Sequence, residues 1–128
     1  MAALSNFAEN EMLDHMLGTG AYTAPTNVFL GLFTSDPTDA GSGTEKSGDA
    51  YARQDINFGA SSGGIATSSG VVTFPTATGS WGTITHIGIF DAVSSGNLLF
   101  HGALTASKAI ASGDVFQVAN GAITITAT

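Results

Sequence analysis

The sequence predicts a mainly β protein: a β-sandwich or jelly-roll-like barrel carrying one N-terminal α-helix. Three observations point there. Apolar or alternating runs of four to ten residues recur along most of the chain. Gly, Pro, Asn and Asp break them every ten or so residues, the spacing of short antiparallel strands. Only one stretch, near the N-terminus, carries helix-capping chemistry, and no internal repeat is evident. At 128 residues the chain is expected to form one domain, with the helix over residues 5–17 and the β region over 27–127.

Ser5 or Asn6 can cap the helix, and Asn6 with Glu9 three positions on has capping-box spacing. Glu9 and Glu11 fall near the positive end of the helix dipole. Phe7, Met12, Leu13, Met16 and Leu17 are expected to gather on one side, and Gly18 with Gly20 to stop the helix. That stripe either packs on its own domain or docks on a partner chain.

Residues 27–34, Asn-Val-Phe-Leu-Gly-Leu-Phe-Thr, are apolar on both faces. This is the pattern of a central strand covered by the helix on one side and by a second sheet or a neighbouring subunit on the other. Ser35-Asp36-Pro37 then forms a turn. Residues 38–49 read as a polar, Gly-rich loop that either binds something or moves, and its charges are Asp39, Glu45, Lys46 and Asp49. Residues 50–58 alternate as a strand with one polar face, residues 60–70 read as a turn, and residues 71–74 form a strand closed by Pro75.

The clearest hairpin pairs residues 81–91 with 96–104. If Asp91 faces Gly96, Ile87 opposes Phe100, Ile89 opposes Leu98, Thr83 opposes Leu104, and His86 lies beside His101. A one-residue slip groups Ile84, Phe90, Leu98, Phe100 and Leu104 instead, and the residues leave both registers open. Strands at 115–118 and 122–127 are predicted to form a last hairpin about Asn120-Gly121.

Composition narrows the function. Charged residues make up only 10% of the chain, against roughly 25% in an average globular protein. The shortfall is filled by Gly, Ser and Thr rather than by apolar residues, which stand at an ordinary 43%. Small side chains lose little rotamer entropy when ordered, so such a surface can be covered by a neighbour at low cost. With ten acidic residues against three basic ones and a net charge of −7, the chain lacks the cation cluster that nucleic acid or an anionic membrane requires. No run is long enough to span a bilayer, and the N-terminal residues show no secretory signal, so a soluble protein made in a cytoplasm is expected. Cysteine is absent, which removes disulfides and thiolate metal sites.

Catalytic chemistry is poorly provided for. His86 and His101, if paired, lack a third ligand with metal-site spacing, and the two-histidine strand motif of cupin-type jelly rolls is missing. His15 beside Asp14 reads as a solvated helix residue. Gly41-Ser-Gly43 does not complete a nucleophile elbow, and no phosphate loop ends in Gly-Lys-Ser/Thr. The carboxylate pairs Asp36/Asp39 and Glu45/Asp49 lack calcium-loop spacing. We therefore expect no enzymatic activity, no cofactor and no metal. Arg53, the sole arginine, is expected to bridge to a carboxylate within the chain or across a subunit interface. Trp81 is expected in the core, or else as an exposed platform for a glycan or an interface.

Three segments together carry a resemblance. They are 28–37 (Val-Phe-Leu-Gly-Leu-Phe-Thr-Ser-Asp-Pro), 48–54 (Gly-Asp-Ala-Tyr-Ala-Arg-Gln), and 81–92 (Trp-Gly-Thr-Ile-Thr-His-Ile-Gly-Ile-Phe-Asp-Ala) followed by 96–104 (Gly-Asn-Leu-Leu-Phe-His-Gly-Ala-Leu). With the opening helix and Val72-Thr-Phe-Pro75, the chain resembles small tailed-bacteriophage virion proteins of the tail-fibre-like or head-cement (decoration) type. The resemblance implies a virion structural protein made in the host bacterial cytoplasm. The leading expectation is a capsid cement protein that bridges capsomers, with the major capsid protein or another virion protein as partner, assembling as a homo-oligomer with a trimer favoured. The alternative is a tail-fibre, tail-tip or baseplate module, with Tyr22, Tyr51 and Trp81 as the candidate aromatics for binding a glycan. In either case Phe7, Leu13, Met16, Asp39, Glu45, Lys46, Asp49 and Arg53 are the candidate interface residues.

Overall fold

The computed structural model describes residues 3–126, which form nine strands and one helix. They are β1 (Ala3–Leu4), α1 (Asn6–Met16), β2 (Val28–Phe33), β3 (Gln54–Phe58), β4 (Ile65–Ser69), β5 (Val72–Thr73), β6 (Gly82–Phe90), β7 (Leu98–Ile110), β8 (Gln117–Val118) and β9 (Thr124–Thr126). Seven strands make one sheet in the order β1-β7-β6-β2-β3-β4-β9, and β5 and β8 pair separately. All pairings are antiparallel. The sheet curls until Gly102–Thr105 of β7 and residues 122–124 line the same cavity, so the barrel is nearly closed.

β2 is central, between β6 and β3, which is why both its faces are apolar. Leu30 and Leu32 enter the main core with Ile56, Ile84, Ile87 and Ile89, closed over by Val72, Phe74, Phe116 and Val118 of the ribbon segments. On the opposite face Phe33 joins Phe90 and Leu98 in a second, smaller cluster. The expectation that the helix covers β2 is therefore corrected: α1 packs on β7 and β1. Trp81 is 2% exposed, its ring edge-on to Tyr51 and Phe74 and its indole N–H donated to the Asp49 carbonyl at 2.9 Å. It is a core residue, which removes the exposed-platform reading.

Neither register proposed for the main hairpin holds along its length; only Phe90 facing Leu98, next to the turn, matches the one-residue slip. Ile87 faces Gly102, Ile89 faces Phe100 and Phe90 faces Leu98, while His86 faces Ala103 and Gly88 faces His101. The two histidines are thus not partners. The cause is a pair of irregularities that even alternation does not anticipate. Between Ile84↔Lys108 and His86↔Ala103, Thr85 alone stands against residues 104–107. This shift lets Ile84 share the core face with Ile87 and Ile89 despite their odd spacing. The second irregularity, at Ile89/Phe90, sends Leu98 to the small cluster while Phe100 packs against the main core.

Three further expectations change. Residues 60–70 are not all turn, because Ile65–Ser69 pairs with β3 and β9. The strand expected over 50–58 begins only at Gln54. Asn120 and Gly121 do form a turn, with Gly121 at φ 75° and the Ala122 N–H on the Ala119 carbonyl. Its flanks diverge, however: β8 joins β5 and β9 joins β4, because the core needs Val118 in the ribbon and Ile123 under the sheet. Ala127 of that expected strand lies outside the described residues.

Candidate interaction surface

Ser5 is the helix cap. Its hydroxyl accepts the Ala8 N–H at 3.1 Å and donates to the Leu98 carbonyl, and its own N–H reaches the Leu99 carbonyl at 2.9 Å. The cap therefore also fastens the helix to β7. Asn6 donates its N–H to the Asp39 carbonyl at 2.8 Å, and the Asp39 carboxylate meets His101 Nε2 at 2.7 Å. The 38–49 loop is tied to both the helix entry and β7.

The rest of that loop folds back over the end of β2. Thr34 and Thr44 are joined by a backbone bond, and the Lys46 N–H reaches the Leu32 carbonyl, both at 2.9 Å. Phe33 and Glu45 form an isolated bridge. Glu45 then becomes the centre of a polar cluster. Arg53 grips it with two bonds of 2.7 and 2.8 Å, and the Tyr51 hydroxyl donates to it at 2.6 Å. Arg53 Nη1 also donates to the carbonyls of Ala92 and Ser95, and the guanidinium stacks 3.5 Å over Phe90. Such a fork uses the planar donor set that lysine lacks. Tyr51 accepts the Leu32 N–H at 2.9 Å. Burial, with its hydrogen bond to Glu45, pushes the Tyr51 hydroxyl well above the usual tyrosine range.

Asp49 and Ala50 both have positive φ, 55° and 69°, a strained conformation for residues with a Cβ. The strain turns the Asp49 carbonyl to the Trp81 indole, while its carboxylate pairs with Lys46 at 2.9 Å. Glu45 with Arg53, and Lys46 with Asp49, are thus paired within the chain.

Of the remaining candidates, Leu13 and Met16 point outward at 56% and 74% exposure. Phe7 is half-buried and lines a different cavity, beside Asp39, Gly41 and Leu98. The single helix stripe expected from the sequence is therefore split. Ala8 is the one buried residue of α1, and Met12 and Met16 overhang a groove against β7 and β1. That groove, about 320 Å³, is lined by Leu4, Ala8, Met12, Met16, Leu99 and Phe100, together with Glu11, His15 and Tyr22. The Tyr22 N–H binds His15 Nδ1 at 3.2 Å. Partial burial, aided by the nearby carboxylates of Asp91 and Glu11, raises the Tyr22 hydroxyl above its ordinary value. Leu99, Phe100 and Tyr22 were not singled out for this surface in the sequence, where Leu99 and Phe100 read simply as strand residues.

Among the described residues no three His, Cys, Asp or Glu side chains gather as a metal site, and no helix is long and apolar enough to cross a membrane. The model of the family described as "Podophage GP4 fiber I protein gp80" matches residues 3–126. No curated protein matches the chain.

Proposed function

Since this chain belongs to the podophage fiber I protein gp80 family, a family of phage virion structural proteins, we propose that it is a fibre-associated component of the virion tail. The observation that carries this reading is the match across residues 3–126, which takes in the helix, the clamped loop and all nine strands. Capsid cement, the leading expectation from the sequence, is the weaker reading because the family description names a fibre. The fold suits a rigid module in a larger assembly: the 38–49 loop is fixed through Glu45, Arg53 and the Asp39–His101 contact, so little conformational entropy remains to be lost on docking. In this role the chain works by binding rather than by catalysis, and its partners are other virion proteins. Of the three glycan-stacking candidates, Trp81 is buried and Tyr51 is packed in the core and hydrogen-bonded, which leaves only Tyr22, half-buried at the groove beside α1.

Cryo-EM of purified virions, with copy number measured by quantitative mass spectrometry against the major capsid protein, tests the assignment. A few copies per particle with density at the tail are expected. Several hundred copies over the head shell would restore the cement reading and sink this one.

A further inference from the structure

The second half of α1 and its C-cap residue display Met12, Leu13, Met16 and Leu17 at 39, 56, 74 and 72% exposure. Among the described residues, the other large exposed apolar side chains, Ile65, Val71, Val93 and Val115, are scattered singly along the chain. Four together, beside an open apolar groove, form a patch of the kind that marks a contact surface. The helix has only 11 residues and buries only Ala8. An isolated helix of that length is marginal in water, so covering its methionine side would stabilise it. Methionine side chains also adapt to the shape of what enters.

Charge identifies the occupant. Glu11 lines the groove, Glu9 and Asp14 stand on the same helix, and Asp91 is close enough to act on Tyr22. His15 is the one basic-type side chain in the lining. Lys46 and Arg53 are paired with Asp49 and Glu45, and Lys108 sits near the opposite end of β7 from Phe100. A second copy meeting this face through a two-fold axis would set the acidic helix against itself, in a chain already at −7.

Building on the fibre reading, we propose that the α1–β7 groove docks a basic amphipathic segment of another virion protein. An aliphatic or aromatic side chain enters between Met12, Met16, Leu99 and Phe100, and flanking Lys or Arg residues meet Glu11 and its neighbours.

The three methionines of the chain are Met1, Met12 and Met16, so photo-methionine, a close analogue of methionine, places a cross-linker in the groove at Met12 and Met16. Virions grown with it are irradiated, and cross-links at Met12 and Met16 are mapped by tandem mass spectrometry. The expected adduct is a Lys- or Arg-bearing apolar segment of a different virion protein. In a Met12→Glu/Met16→Glu variant, copy number per particle should fall about tenfold or more, while thermal unfolding in solution is preserved. That variant is more acidic, so undiminished incorporation would show general charge attraction and overturn the proposal. Cross-links to a second copy, to an acidic or uncharged segment, or none in particles that contain the chain, would overturn it and leave the fibre reading intact. Absence of the chain from purified particles would sink both.

Discussion

Gly31 and Gly88 face each other across β2 and β6, and the space their missing side chains leave is filled by aromatic rings. A Cβ on Gly88 would stand 2.7 Å from Leu98 Cδ1 and 2.8 Å from Phe33 Cε1; one on Gly31 would stand 2.8 Å from Phe90 Cε1. The stacked Phe33–Phe90 pair, 5.9 Å between centroids, lies over this glycine pair and carries Arg53 above it. Gly88→Ala should therefore destabilise the fold by about 1–3 kcal/mol, the usual cost of overpacking. Gly59→Ala is the control: its Cβ meets nothing nearer than 3.9 Å, and the change should be neutral or stabilise by up to about 1 kcal/mol. Urea unfolding of the two variants gives the comparison; equal midpoints would contradict the packing argument.

Arg53→Lys keeps the charge but loses the two-point grip on Glu45 and the stacking on Phe90. The expected loss is about 1–3 kcal/mol, because hydrogen bonds to charged groups are the stronger kind and Arg53 is mostly enclosed. A double-mutant cycle with Glu45→Gln should give a coupling of at least about 0.5 kcal/mol. Additive losses would mean the two residues act independently.

Tyr51 links alkaline pH to stability. Its hydroxyl is held above the ordinary tyrosine value near 10, so the folded state keeps a proton that the unfolded chain releases. The contribution is fully present below about pH 10 and declines as pH rises above it. Stability measured from pH 8 to 11.5 should fall over the upper part of that range, and Tyr51→Phe should flatten the fall. An unchanged slope in the variant would assign the alkaline loss to other groups.

Ser5→Ala removes a helix cap and the hydroxyl bond to Leu98 in one step. The cap alone is typically worth about 0.5–2 kcal/mol, and the Leu98 carbonyl loses a donor in addition. Hydrogen exchange should show α1 amides losing protection while β2 and β6 amides keep theirs. Uniform loss across all of them would mean that the helix and sheet unfold as one unit.

Local chemistry in the sequence was enough to indicate the β class, the single capped helix and the central position of the apolar run at residues 27–34. Those features depend on neighbours in the chain: a cap hydroxyl, an apolar run, a turn dipeptide. The tertiary structure decided the rest. Two irregularities in the β6–β7 pairing set which of Ile84, Phe90, Leu98 and Phe100 face the core, and alternation cannot locate an irregularity in advance. Asn120-Gly121 announced a turn correctly, yet whether its two flanks pair depended on where the core needed Val118 and Ile123. The charges of the 38–49 loop were visible, but their joining through Arg53, Tyr51 and Phe90 spans residues 45–95, a closure that only the assembled sheet brings about. The groove beside α1 belongs to the same class, since Met12 and Tyr22 meet Leu99 and Phe100 only once β7 lies under the helix.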